Sequence, residues 1–128
     1  MLSTLDKKIA EFHSERGKKF NSYKVDSVTL FDLLPKNLSP NENFLLNIDV
    51  EGAEVDVLKS NDFKLKRPKF ITIESWSIPW DKESDAIKYL REKAGYTLLA
   101  YTGLTALMVP LEILDELRGL RTSLGKIS

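Results

Sequence analysis

Three carboxylates follow an apolar stretch within six positions of this sequence. The residues Phe44 to Ile48 are strand-like, and directly after them Asp49, Glu51 and Glu54 surround Gly52. An apolar run that stops at a cluster of acids is typical of a buried strand that reaches the rim of a sheet, where α/β proteins bind ligands. A carboxylate in such a place can take a proton from a substrate or orient a hydroxyl group. The question is whether these acids do chemistry or only start a helix.

Another acid stands at the end of a second strand-like stretch, Lys69 to Glu74. If the two stretches are parallel neighbours, about 4.8 Å apart, Asp49 and Glu74 face the same crevice. Trp76 and Trp80 follow in the segment ESWSIPWDKES. Two large aromatic side chains in a polar loop could form the floor of a substrate pocket or hold the loop against the protein, and both interpretations are open.

The acids also have structural interpretations. Asp49 or Glu51 could cap a helix predicted from Ala53 to Lys59, because acids near a helix N-terminus complement its macrodipole by about 0.3 to 1 kcal/mol. Glu54 fits the surface of that helix better than a ligand position. The three acids could hold Mg²⁺ through oxygen atoms, but across a strand-to-helix turn they could point in different directions, so no metal site is assigned. Gly52 permits a sharp bend or a close approach of the backbone to a bound group.

The elements that position these residues follow from the hydrophobic pattern. Two strand-like stretches with a helix between them predict a right-handed, parallel βαβ unit. The first stretch is apolar except for Asn47, which is expected of a strand covered on both faces. The later pattern predicts a helix that ends at Gly95 and then two antiparallel strands joined by a glycine turn. These elements span Ser84 to Ala94, Tyr96 to Tyr101 and Ala106 to Val109.

The two ends of the chain are simpler. Residues 3–16 predict a helix with an apolar stripe, and Val25 to Thr29 predict a short strand followed by a small helix that Pro35 stops. Leu111 to Leu117 predict a short amphipathic helix. We therefore divide the chain into an N-terminal helix and linker, an α/β region, and a C-terminal helix and tail, which span residues 1–22, 23–110 and 111–128.

Composition narrows the possible functions. The 128 residues are 42% apolar and 30% charged, as expected of a globular domain. The 19 basic and 19 acidic side chains cancel and form no local basic patch, so we expect no nucleic-acid partner. Without cysteine, and with His13 as the single histidine, a thiolate site, a histidine metal site or a Ser/His/Asp triad is a poor fit. No run approaches the roughly 20 apolar residues that span a bilayer. We expect a cytoplasmic protein with no membrane contact.

Four motifs stand in a fixed order: VDSVTLFDLL, LLNIDVEGAEVDVLKS, RPKFITIES and AGYTLLAYTGLTALMVP. This order resembles the FkbM family of methyltransferases, which use S-adenosylmethionine and mostly methylate oxygen. In that family V-x-T-L-D-x-L-L precedes I-D-x-E-G-x-E-x-x-V-L-K, then R-P-x-x-I-x-x-E, then a G-Y strand. The resemblance covers about residues 25 to 110. Phe31 and Asp32 depart from it, since they replace the usual pair of acids.

The resemblance implies an α/β fold. The expected architecture is a partial Rossmann-like methyltransferase sheet, with parallel strands plus a C-terminal antiparallel hairpin and helices on both faces. Phe44 to Ile48 would be the fourth strand of that sheet and Lys69 to Glu74 the fifth. Ala106 to Val109 would insert antiparallel between the fifth strand and Tyr96 to Tyr101.

The resemblance also implies roles for single residues. Asp49 matches the acid that ends the fourth strand near the methyl-transfer centre, and Glu74 matches the acid that ends the fifth strand, so both are candidate catalytic residues. Asp49 is the candidate base or substrate orienter. The candidate cofactor-binding residues are Asp49, Glu51 and Gly52, and the candidate substrate-binding residues are Trp76 and Trp80.

One departure affects the expected function. The family's cofactor half, with its strand and glycine-rich turn, should precede residue 25, but the chain has no G-x-G-like loop. We therefore expect a truncated O-methyltransferase domain that acts on a hydroxyl of a small molecule or glycan and binds S-adenosylmethionine weakly by itself. The alternatives are a non-catalytic α/β binding module derived from this fold and a Mg²⁺-dependent hydrolase.

Truncation would leave the strand Phe44 to Ile48 without a neighbour on one side. This stretch has no charge or proline to discourage pairing with another strand. Either Lys24 to Thr29 folds back against it or a second copy pairs there. We favour a homodimer through this strand.

Overall fold

The described residues form one mixed sheet with helices packed against it. In the computed structural model the described residues are 11, 14–15, 21, 23–36, 38, 42–74 and 83–124, with side chains described up to residue 119. The elements in chain order are α1 (Leu30–Leu33), β1 (Leu45–Ile48), α2 (Glu54–Lys59), β2 (Phe70–Glu74), α3 (Asp85–Lys93), β3 (Tyr96–Thr102), β4 (Thr105–Pro110) and α4 (Leu111–Leu124).

The four described strands lie in the order β1-β2-β4-β3. β1 and β2 are parallel, with Leu46 opposite Ile71 and Ile48 opposite Ile73. β4 is antiparallel to both of its neighbours. The parallel pair needs a crossover, which α2 and the loop after it supply, whereas β3 and β4 need only a tight turn in which Gly103 has φ +65°. The predicted α/β class and the predicted insertion of the last strand are confirmed.

The core lies between the sheet and helices α2 and α3. Side chains from all three parts are buried together, and Leu58, Ile71, Ile73 and Leu90 have no exposed surface. Each fully buried Leu or Ile stabilises the fold by about 1.5–3 kcal/mol relative to an exposed one. This packing fixes the βαβ unit, and with it the positions of the residues that follow β1 and β2.

Strand β1 differs from the expectation that both of its faces are covered. Ile48 is 3% exposed and faces the core, while Leu45 is 57% exposed. On the exposed face, the Thr72 hydroxyl donates to Asn47 Oδ1 at 2.7 Å. The expectation is wrong because successive side chains of β1 point to opposite faces, and among the described residues only one of these faces packs against the core.

Helix α3 has the ends that its sequence predicts. The Ser84 hydroxyl accepts the Ile87 N–H at 3.3 Å as the N-cap, and Gly95, with φ +71°, follows the last turn. A hydroxyl cap and a left-handed glycine satisfy backbone groups that a helix end leaves unpaired.

The structure differs from the prediction at two other elements. Val25 to Thr29 do not form a strand, and Val25 and Val28 are each 72% exposed. β-branched residues favour a strand only where a partner strand is available, so the propensity alone was misleading. The C-terminal helix extends to Leu124 rather than Leu117, because Gly119 inside it costs only about 1 kcal/mol relative to alanine.

The small helix predicted after Thr29 is confirmed and corresponds to α1, which Thr29 caps and in which Leu30 is buried. Most of the helix predicted over residues 3–16 lies outside the described residues. Among the helices that the structure describes, none has the length and apolar character needed to cross a bilayer.

Candidate active site at the ends of the parallel strands

The carboxyl ends of β1 and β2 bring two acids together. Ile48 and Ile73 are register partners, so Asp49 and Glu74, which each come one residue later, meet at the same rim of the sheet. Asp49 is exposed and Glu74 is half-buried. The prediction that both acids face one crevice rests on the parallel pairing of their strands, and this pairing is confirmed.

The turn between β1 and α2 has an unusual backbone. Glu51 has φ +50° and Gly52 has φ +102°, and the Ala53 N–H donates to the Val50 carbonyl at 3.3 Å. Glycine adopts such angles freely, but a residue with a side chain is less stable there by about 1–2 kcal/mol. The bend at Gly52 was predicted from its residue type. The left-handed conformation of Glu51 was not, because glutamate carries no signal for it.

Glu54 holds this turn. Its Oε1 accepts the Gly52 N–H at 3.0 Å, while the N-cap residue of α2 is Ala53, which makes no side-chain cap bond. Neither Asp49 nor Glu51 therefore serves as the N-cap, and the capping interpretation of these two acids is wrong. The acid of the first helical turn closes the turn instead.

The charges at this rim are crowded. Partial burial raises the pKa of Glu74, and the nearby carboxylates of Asp49, Glu51 and Glu54 raise it further. Four acids thus contribute to one negative field, which attracts a cation or a hydrogen-bond donor and makes Glu74 a stronger base than an isolated glutamate.

The geometry does not favour a metal centre. Within the described ranges, no three or more His, Asp or Glu side chains are placed to hold a metal ion. The interpretation of Asp49, Glu51 and Glu54 as a Mg²⁺ site therefore has no support among the described side chains.

Trp76 and Trp80 lie outside the described residues. Their role in binding a substrate stays a prediction.

The sequence carries a family signature over most of its length. A family profile described as a methyltransferase FkbM domain matches residues 2–98. The chain belongs to the FkbM methyltransferase domain family. The resemblance inferred from the motifs is confirmed, and the match spans all of β1, α2, β2 and α3 together with the rim acids. A search of curated proteins found no match. A search of solved structures also found none.

The arginine of the Arg-Pro motif, Arg67, connects parts of this chain that are distant in sequence. The Arg67 guanidinium donates to the Ala94 carbonyl at 2.7 Å and to the Gly95 carbonyl at 3.1 Å, at the end of α3. Its Nε also donates to Glu112 on α4 at 2.5 Å. Sequence reasoning matched this arginine to the family pattern without finding its role, because its partners lie 27 to 45 residues away.

Lys66, the residue before Arg67, also donates hydrogen bonds to backbone carbonyl groups. This lysine is 6% exposed, and its Nζ donates to the carbonyls of Phe31 and Leu34, the latter at 2.8 Å. The same ammonium lies 4.1 Å from the centre of the Phe31 ring. A buried ammonium needs such partners, and these hold α1 against the loop before β2.

A groove of about 430 Å³ lies between α1 and the end of α2. The residues that line it are Thr29, Phe31, Asp32 and residues 59–62. It shares no residue with the acidic rim, so we assign it no part in methyl transfer.

Proposed function

We propose that this FkbM domain transfers a methyl group from S-adenosylmethionine to a hydroxyl of a small molecule or glycan at the rim formed by Asp49, Glu51, Gly52 and Glu74. The family match supports methyl transfer as the reaction class. The observation that carries the proposal is the convergence of the acids at the carboxyl ends of two parallel strands, where α/β sheets bind their ligands.

The rim fits the proposed cofactor chemically. S-adenosylmethionine has a sulfonium and an ammonium, which are cations, and ribose hydroxyls, which are hydrogen-bond donors. Asp49 and Glu51 supply carboxylate acceptors for such groups. Gly52, with no Cβ and a positive φ, lets the backbone come close to a bound molecule.

The rim then serves both reactants, and Asp49 acts on the cofactor and on the acceptor. Asp49, Glu51 and Gly52 would hold the cofactor, which would supply an electrophilic methyl group on its sulfonium sulfur to the acceptor hydroxyl. Asp49 accepts the proton of the acceptor hydroxyl and orients its oxygen. Glu74, whose pKa is raised by burial and by its acidic neighbours, is the second group able to hold that proton. Alignment of the two reactants supplies most of the acceleration in such a displacement.

The chain has no glycine-rich turn, so we expect the 128 residues alone to bind S-adenosylmethionine weakly. An NMR titration tests this. We expect the amides of residues 49–52 and of Glu74 to shift progressively, with a dissociation constant in the millimolar range. The Asp49→Asn variant should raise this dissociation constant at least about tenfold, which is the loss of affinity typical of removing one charged hydrogen bond.

Asp115→Asn is the matched control, because Asp115 is an exposed aspartate on α4. It should bind S-adenosylmethionine with the wild-type dissociation constant, and both variants should keep the wild-type melting temperature. Shifts that avoid the rim would contradict the proposed site, whereas a micromolar affinity would contradict the expectation that the 128 residues alone bind the cofactor weakly. Equal binding by the Asp49→Asn variant would remove Asp49 from the site.

The second candidate is a binding module that kept the fold without the chemistry, as the 128 residues themselves contain no glycine-rich turn. Absence of any rim shift at millimolar cofactor, in a chain whose melting is cooperative, would support this candidate over the enzyme.

A further inference from the structure

The hairpin of β3 and β4 turns at the rim that carries the acids. Because β4 runs antiparallel to β2, its first residue, Thr105, lies at the carboxyl end of β2 as the register partner of Glu74. Thr102, the last residue of β3, is in turn the register partner of Thr105. The tight turn between these two threonines therefore stands beside Glu74.

Four polar side chains thus cross the sheet at one level. Residues directly opposite in an antiparallel pair point to the same face, so Glu74, Thr105 and Thr102 share a face. Asp49 follows β1 at the level of Glu74, and its charge acts on that carboxylate. Neighbouring strands are about 4.8 Å apart, so the four positions extend over roughly 14 Å. We call this set the rim row, and its members across the sheet are Asp49, Glu74, Thr105 and Thr102.

The hydroxyl groups of the hairpin are confined to the rim row. On the same face of the hairpin, two residues further from the rim, Leu107 of β4 pairs with Ala100 of β3. The threonines therefore border an apolar surface and are not part of a general polar face. Polarity at this level of the hairpin coincides with the position of the acids.

A ligand has room beside the hairpin turn. Thr102 is exposed and Thr105 is half-buried. A Cβ added at Gly103, between them, would meet no atom within 4 Å. None of the hydrogen bonds between described residues uses the Thr105 hydroxyl, which can both donate to a ligand and accept from it.

We propose that the methyl acceptor lies along the rim row, with Thr105 binding it next to Glu74 and Thr102 as a further contact. This inference rests on the proposed methyl transfer and divides the rim between the two reactants. The cofactor occupies the Asp49 end, and the acceptor extends from there towards the hairpin turn.

The rim row favours an acceptor with several hydroxyl groups. Glu74 accepts a hydroxyl proton, whereas the two threonines both donate and accept. The span from Glu74 to Thr102 is about 10 Å, which is too long for one hydroxyl group to bond to both ends. A polyol reaches all three side chains at once, so Thr105 and Thr102 select for the number of hydroxyl groups.

An NMR titration with two defined probes tests this preference. Glucose carries several hydroxyl groups on one ring and cyclohexanol carries one. We expect glucose to shift the amides of residues 102–105 and of Glu74, and cyclohexanol to bind at least about threefold more weakly. Glucose shifts that avoid residues 102–105, or equal affinity for the two probes, would overturn the proposal.

Substitutions at Thr105 test the role of its hydroxyl. Thr105→Val keeps a β-branched side chain that suits a strand and removes only the hydroxyl. It should raise the dissociation constant for glucose about three- to tenfold, the loss typical of one neutral hydrogen bond, while Thr105→Ser should bind as the wild type does. Unchanged binding by Thr105→Val, or an equal loss in Thr105→Ser, would overturn this role.

Thr97→Val is the matched control. Thr97 is a half-buried threonine of β3 that pairs with Val109, far from the turn. This variant should bind glucose with the wild-type dissociation constant, and a loss equal to that of Thr105→Val would overturn the assignment to the rim.

Titration with S-adenosylmethionine separates this inference from the proposed function. Thr105 lies two strands away from Asp49, so Thr105→Val should keep the wild-type dissociation constant for the cofactor. Cofactor shifts at the rim without glucose shifts at the hairpin would overturn the acceptor row and leave the methyl transfer proposal standing. Glucose shifts without cofactor shifts would support the row as a polyol site and remove the cofactor from the rim.

Discussion

The carboxylate of Glu74 lies close to three other carboxylates at the rim of the sheet. Its carboxyl group is half-buried, and the nearby carboxylates of Asp49, Glu51 and Glu54 add to the effect of burial on its pKa. A negative group that is held among negative groups reduces the free energy of unfolding. Proteins tolerate such arrangements most often at functional sites.

The raised pKa of Glu74 predicts a change of stability with pH. The folded state holds this proton more tightly than the unfolded state, so the free energy of unfolding falls as pH rises from the ordinary glutamate pKa, about 4.3, through the raised value. Glu74→Gln should therefore melt at a higher temperature than the wild type at neutral pH. The difference should vanish below the ordinary pKa.

Calorimetry over this pH range checks the prediction. Glu116→Gln, an exposed change on α4, removes one negative charge away from the rim and should give no such pH-dependent difference. A lower melting temperature for Glu74→Gln at neutral pH would mean that hydrogen bonds of Glu74 outweigh the repulsion.

The turn between β1 and α2 is the element that presents the acids. Glu51 in the left-handed region and Gly52 beside it redirect the chain in two residues, and the bond from the Gly52 N–H to Glu54 keeps this geometry. Backbone strain of this kind is retained where the surrounding structure fixes it.

Two substitutions at one position isolate that strain. Glu51→Gly and Glu51→Ala both remove the carboxylate, so their difference reports the backbone. We expect Glu51→Gly to be more stable than Glu51→Ala by about 1 kcal/mol in urea unfolding, because only glycine adopts this φ freely. At Glu116, inside α4, the order should reverse by a similar amount, since glycine destabilises a helix interior. Equal stabilities at position 51 would mean that the turn relaxes.

Over the whole molecule, Arg67 joins parts that are distant in the sequence. It binds the carbonyls at the end of α3, pairs with Glu112 on α4, and lies 4.8 Å from the centre of the Tyr96 ring. The Glu112 bond raises the pKa of Arg67, and the same bond lowers the pKa of Glu112. The Tyr96 hydroxyl in turn donates to the Pro68 carbonyl at 2.7 Å. This cluster fixes α4 and the start of β2 relative to α3.

Arg67→Met should lower the free energy of unfolding by about 1–3 kcal/mol, because it leaves carbonyl groups at the end of α3 without their donor. Arg91→Met is the matched control. Arg91 pairs with Glu83 at 2.8 Å on the surface, and exposed pairs contribute little. Denaturant unfolding of both variants measures the contrast, and an equal loss in the two would show that the Arg67 cluster adds nothing beyond surface charge.

Local patterns in the sequence determined much of this protein. Apolar runs predicted the strands, Ser84 and Gly95 marked the ends of α3, and the motif around Asp49 and Gly52 indicated the family. These features depend on residues close together in the chain, so the sequence displays them directly. The order of the strands, in contrast, came from the family resemblance.

The tertiary structure decided what depends on distant partners. It left Val25 to Thr29 outside the sheet, exposed Leu45, and joined Arg67 to α3 and α4. It also replaced capping by Asp49 or Glu51 with the bond from Gly52 to Glu54. β-propensity, burial and the choice of a hydrogen-bond acceptor are settled by the neighbours that folding brings together, and no local pattern encodes those neighbours.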